Sequence, residues 1–146
     1  MGRNILDKFF GKKGRVDKIL EEDLKNLKEL LEKYKKEKKV LLAYLFGSCA
    51  EGKIHKRSDI DIAIYLTGSE KEKLQILENL LMCSKKKLDI LRLDDEDESP
   101  FIIQKALKGI PLIEPDEEIL YKLWDRVLHE TEHIRLKRNI HLNLNE

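Results

Sequence analysis

The sequence predicts an α/β domain in which a mixed sheet is flanked by helices. Three observations lead there. Two apolar runs of strand length, Val40–Phe46 and Asp59–Leu66, bracket a glycine-containing loop. Leucines before and after these runs recur at helical spacing. A third short apolar run, Leu88–Leu93, is followed by two more helical segments.

The elements follow in order. Residues 1–15 carry Gly2, Gly11 and Gly14 among several cations and read as a basic arm. A helix is expected over 16–38: Leu20, Leu24, Leu27, Leu31 and Tyr34 form one stripe, with acids in its first turns and lysines in its last. That stripe is expected to pack within its own domain. Ser69 and Glu72 form a capping box for a second helix, with Leu74, Leu77, Leu80 and Leu81 as its buried face and its end near Cys83. The run Asp94–Glu98 reads as a solvated acidic loop. Ser99 and Pro100 open a short helix that Gly109 ends, with Ser99 as its N-cap. Ile110–Ile113 suits an edge strand, where proline is tolerated. A last helix starts near Asp116 with the stripe Leu120, Leu123, Val127, Thr131 and Ile134, and runs to about Arg138. The tail 139–146 is expected to fray.

Composition bounds the function. At 146 residues the chain is most simply one domain. Its 29 basic and 28 acidic residues give a net charge of +1, so no overall field draws in long nucleic acid. Charged residues make up 39% of the chain, and the Lys- and Glu-rich helices point to a salt-bridged surface of a heat-adapted kind. Cys49 and Cys83 lie in no metal-ligand spacing, so a reducing compartment is expected. No apolar run is long enough for a signal sequence core or a membrane span, so the expected location is cytoplasmic.

The chemistry concentrates in Leu41–Leu66. Gly47 and Ser48 end the first strand-like run, and ten residues separate Ser48 from Asp59-Ile60-Asp61. Residues two apart on a strand share a face, so Asp59 and Asp61 project together with Cα atoms about 6.5 Å apart. Two such carboxylates favour a hard cation with oxygen ligands, Mg²⁺ or Mn²⁺. Gly47 allows close approach of a phosphate, and Ser48 adds a hydroxyl donor. Lys53, His55, Lys56 and Arg57 are candidates for the phosphate tail of a nucleotide, and equally are ordinary loop charges. Asp89, the one acid inside Leu88–Leu93, supplies a third carboxylate if its strand lies beside that of Asp61. Two ions held in this way, about 3.5–4 Å apart, stabilise the attacking and leaving oxygens of an in-line displacement.

Gly-Ser, ten residues, Asp-x-Asp and a later strand Asp resemble the signature of the DNA polymerase β-like nucleotidyltransferase superfamily. Within it, GSCAEGKIHKRSDIDIAI and SPFIIQKALKGIPLIEPDEEILYKLW resemble the minimal nucleotidyltransferases, antitoxin partners of HEPN-domain ribonuclease toxins. The resemblance covers roughly Val40–Arg138. It implies a nucleotidyltransferase fold over 16–138 and transfer of AMP from Mg·ATP, with two ions, to a tyrosine hydroxyl of a HEPN toxin. Asp59, Asp61 and Asp89 match the catalytic metal ligands, and Gly47 and Ser48 the phosphate-binding pair. Arg57 and Ser58 are further nucleotide-binding candidates. No base-specific motif stands out. The long N-terminal helix departs from the shortest members.

Alternatives from other classes are a non-catalytic antitoxin that acts by binding alone, and a small-molecule nucleotidyltransferase, which usually carries an extra helical domain. His129-Glu130-Thr131-Glu132-His133 also fits the H-E-x-x-H zinc pattern. Leu136 and Asn139 fall where the glycine and third histidine of the longer zinc motif belong. Solvent-facing histidines on a charged helix are the preferred account.

Overall fold

The computed structural model describes residues 18–47 and 59–144, with side chains over 21–47 and 59–139. Among these residues the chain forms helix α1 (Lys18–Lys36), strands β1 (Val40–Phe46) and β2 (Ile60–Leu66), helix α2 (Glu70–Cys83), strand β3 (Leu88–Arg92), helix α3 (Pro100–Leu107), the short strand β4 (Ile110–Pro111) and helix α4 (Glu117–Leu144). The expected basic arm over 1–15 lies outside the described residues. The sheet order is β3-β2-β1-β4. β1 runs antiparallel to β2 and β4, while β2 and β3 are parallel, so the sheet is mixed as expected.

Both sheet faces are covered. On one, Ile60, Ile62, Ile64 and Leu66 meet Leu24, Leu27 and Leu31 of α1 and Ile76 and Leu80 of α2. On the other, Leu42, Tyr44 and Ala63 meet Ile103, Ala106 and Leu107 of α3 and Leu123 and Val127 of α4. Each fully buried leucine contributes about 2 kcal/mol. The first strands thus read as near-continuous apolar runs because water reaches neither face. The side of β2 that bears Asp61 is wet only at its start, since Ala63 behind it is fully buried.

α1 is an integral layer of the domain. Its lysine-rich end closes in a Schellman motif: the Lys39 N–H donates to the Tyr34 carbonyl at 2.9 Å and the Lys38 N–H to the Lys35 carbonyl at 2.9 Å. Lys38 takes the left-handed position, φ 59°, that glycine usually fills. Asp23 does more than complement a dipole. Its carboxylate, 1% exposed, accepts from the Ser84 hydroxyl and from the Lys85 and Lys86 N–H groups at 2.9–3.1 Å, clasping the turn that leads into β3.

Several expectations need correction. Leu74 and Leu81 are 57% and 49% exposed, and Ile76 takes their place in the core. The leucine pattern admits two overlapping stripes, and the helix turns the one containing Ile76 and Leu80 inward. The Ser69 hydroxyl does accept from the Glu72 N–H, at 3.2 Å. Ser99 precedes α3 without a side-chain capping bond. β4 is shorter than expected, although the Leu112 N–H still donates to the Ala43 carbonyl. Asp94 is no solvated loop acid: its side chain is 5% exposed, bonded to Arg92 at 2.8 Å and Lys73 at 3.0 Å. Its neighbours Asp95, Glu96 and Asp97 are exposed as expected. α4 continues past Arg138 to Leu144, its N-terminus capped by the Asp116 carboxylate. Among the described residues no helix is long and apolar enough to cross a membrane.

Candidate active site

The register of the two parallel strands assembles the acids. Asp61 lies opposite Asp89, and Ile60 opposite Leu88. Directly paired residues on neighbouring strands project to the same face, so the two carboxylates stand side by side. Asp59 immediately precedes β2, with its carboxylate 3.9 Å from the Lys87 ammonium. The Asp61 carboxyl titrates above the ordinary carboxylate range: burial raises it first, then the charges of Asp89 and Asp59 and a hydrogen bond with Asp89, while Lys105 pulls the other way. Mutual repulsion among acids at one strand end is the electrostatic condition that a cation relieves.

Gly47 is fitted to this cluster. Its φ of 74° is a left-handed conformation that L side chains rarely adopt. A β-carbon there would meet the Asp61 carboxylate oxygen and lie 3.2 Å from its Cγ. The glycine is therefore required by the acid as well as by the turn.

The donor set of Asp59, Asp61 and Asp89 is all carboxylate oxygen and fits a hard divalent ion such as Mg²⁺. As the side chains stand, among the described residues no three acidic, histidine or cysteine groups gather round one point to hold a metal. The pairings explain why. Asp59 leans toward Lys87, while Asp61 stands beside Asp89. Ser48, Lys53, His55, Lys56, Arg57 and Ser58 lie outside the described residues. His129 and His133 are exposed, and His129 Nδ1 is engaged 2.8 Å from the Asp125 carbonyl, an arrangement of surface histidines.

Beside the acids, a cleft of about 370 Å³ runs between the end of β1 and α3. Its walls are Phe46 and Gly47 on one side, Phe101, Gln104, Lys105 and Lys108 on the other, and Gly109 and Ile110 at its end. Phe46 is the β1 partner of Asp61, so the cleft opens beside that carboxylate.

The profile of the family described as "Polymerase beta, Nucleotidyltransferase" matches residues 25–118. The chain belongs to this nucleotidyltransferase family. Its fold is also that of solved structures of low sequence identity. One is a toxin–antitoxin structure with AMP-PNP, 21% identical, covering 80% of this chain and 95% of that one with a TM-score of 0.60. Another is the toxin–antitoxin MntA-HepT, 18% identical, covering 83% and 94% with a TM-score of 0.56. A third is a tri-AMPylated Shewanella oneidensis HEPN toxin in complex with MNT antitoxin, 18% identical, covering 80% and 96% with a TM-score of 0.51. No curated protein matches the chain.

The cleft of this nucleotidyltransferase is lined by residues that the motif does not announce. Phe101, Gln104, Lys105 and Lys108 recur at i, i+3, i+4 and i+7 along α3. That stripe of one aromatic and three polar residues, opposite the buried Ile103, Ala106 and Leu107, was the available signal.

Proposed function

We propose that the chain transfers AMP from Mg·ATP to a tyrosine hydroxyl of a HEPN-type ribonuclease toxin and thereby acts as its antitoxin. The observation that carries the enzymatic part is the register of Asp61 against Asp89, with Gly47 seated on the Asp61 carboxylate. The fold shared with toxin–antitoxin structures supports the choice of partner.

In this reading Asp59 and Asp61 hold the ions, and Asp89 completes the set. A divalent ion held there would supply charge neutralisation at the transferred phosphate. Asp89, exposed on its edge strand, orients the acceptor hydroxyl and takes its proton. The acceptor oxygen bonds to the α-phosphorus as the bond to pyrophosphate breaks. Gly47 keeps the space above Asp61 clear. Positioning and charge complementarity carry the rate, since the protein forms no covalent bond.

The test is incubation of the chain with Mg·ATP and a HEPN-type partner, followed by intact-mass measurement. A gain of AMP units on the toxin, lost with Asp61→Asn, is expected. A toxin that is neutralised without mass gain, equally well by the variant, refutes the transferase and leaves binding alone as the antitoxin action.

A further inference from the structure

We propose that the cleft between β1 and α3 is the nucleotide's seat, in which Lys105 places positive charge on the phosphate being transferred while Phe101 and Gln104 hold the base. The inference rests on the nucleotidyltransferase reading above and adds the wall of the site that the acids and Gly47 do not provide.

α3 divides cleanly. Ile103, Ala106 and Leu107 are buried against the sheet. Phe101, Gln104, Lys105 and Lys108 form the other face and line the cleft. A volume of about 370 Å³ lies within the range of small-ligand sites. Gly109 sets the depth of the cleft: a β-carbon there would collide with the Leu45 carbonyl oxygen, so only glycine lets the end of α3 close onto β1.

Charge selects the occupant. The acids of β2 and β3 stand on one side, and a nucleotide's phosphates are negative as well. Lys105 and Lys108 bring charge of the opposite sign to the facing wall. Lys105 lines the same cleft as Gly47, which abuts the Asp61 carboxylate. A neutral hydroxyl acceptor has nothing to match two ammonium groups, whereas a nucleotide does. The apolar part fits the same ligand. The partly exposed ring of Phe101 offers a face on which a base stacks. Gln104, half-buried beside it, presents both donors and an acceptor to a base edge. Lys105 is one turn beyond Phe101 along α3, a displacement of the kind that separates a 5′-phosphate from its base.

The experiment uses the full chain. Affinity for Mg²⁺ with a non-hydrolysable ATP analogue is measured by calorimetry, and AMP transfer to the partner by kinetics. Lys105→Met is expected to weaken analogue binding about 10- to 100-fold, the usual loss for a hydrogen bond to a charged group. Lys105→Arg recovers most of that loss. Phe101→Ala weakens binding about 10-fold. Lys71→Met, an exposed lysine on α2 at the opposite sheet face, changes nothing. The three side chains replaced, Lys71, Phe101 and Lys105, are exposed, and melting curves verify folding. Unchanged analogue affinity in Lys105→Met overturns the proposal, as does a rise confined to the acceptor KM, which assigns the cleft to the acceptor. A wild-type chain that binds the analogue but transfers no AMP removes the transferase reading and leaves the cleft assignment standing. A wild-type chain that transfers AMP with Lys105→Met unaffected removes the cleft assignment alone. Failure of the wild-type chain to do either removes both.

Discussion

Replacing Gly47 with alanine separates backbone geometry from chemistry at the site. Two effects add. Alanine at a φ of 74° pays the left-handed penalty, about 1–2 kcal/mol. Its β-carbon would also overlap the Asp61 carboxylate, with Cγ at 3.2 Å and Cβ at 3.4 Å. Relief requires the carboxylate to swing aside or the strand end to give by roughly 1 Å. Misplacement of a reacting group by that amount costs about 100-fold in rate. Gly47→Ala is therefore expected to lower kcat for AMP transfer about 100-fold while lowering Tm by only roughly 5 °C. Gly47→Asn sharpens the test, because asparagine tolerates the left-handed region but still carries a β-carbon. It should recover part of the lost stability and none of the lost rate. Thermal melts with transfer assays at saturating Mg·ATP read both quantities. Wild-type turnover in either variant would refute the reasoning, because Asp61 would then not need the space that Gly47 leaves.

Four further outcomes are expected. In chelator, Asp61→Asn should melt slightly above the wild type at neutral pH: the folded carboxyl is raised, so its ionised form costs stability above that pKa, on the order of 0.5 kcal/mol after solvent screening. Asp23→Ala removes this acceptor from the Lys85 and Lys86 N–H groups, while the Ser84 hydroxyl keeps the Lys86 carbonyl, and should cost about 3 kcal/mol in a urea melt. Asp94 is held below the ordinary range: burial would raise it, but bonds from Arg92 and Lys73 outweigh burial. Its contribution is thus present above the unfolded carboxylate pKa and is lost as pH falls through the folded value. Asp94→Asn should flatten the fall of Tm between about pH 5 and pH 2. Lys38→Gly relieves the left-handed lysine that ends α1 and should raise stability by about 0.5–1 kcal/mol, read as a shift in denaturant midpoint.

The sequence was informative wherever one residue type had one physical use. Unbroken apolar runs placed β1 and β2, and alternation in Asp-Ile-Asp-Ile put the acids on one face and the isoleucines on the other. A lone acid within an apolar strand marked Asp89, and the parallel register then set it against Asp61. Where residues had several uses, the sequence was ambiguous. Four leucines and an isoleucine from Leu74 to Leu81 allow more than one buried face, and only the neighbouring α1 and sheet select Ile76 and Leu80. An acid in a run of acids looks solvated, and nothing local reveals that Asp94 meets Arg92 and Lys73, which come from β3 and α2. Asp23 is likewise explained by Ser84, Lys85 and Lys86, some sixty residues along the chain. Lys105 had no motif around it; its place depends on how α3 packs over β1.

The Asp23 clasp bears on how small a working transferase can be made. The segment that matches the family profile begins at residue 25, two positions after Asp23. A truncation guided by that match would discard the anchor of the turn from which β3 departs, and Asp89 is the second residue of β3. It would also end before Leu123 and Val127, which seal the opposite face. Such a fragment keeps every residue of the acidic motif and loses the means to aim the last of them. The recognisable module and the portable module are different pieces of this chain, and the portable one starts at or before Asp23 and ends beyond Val127.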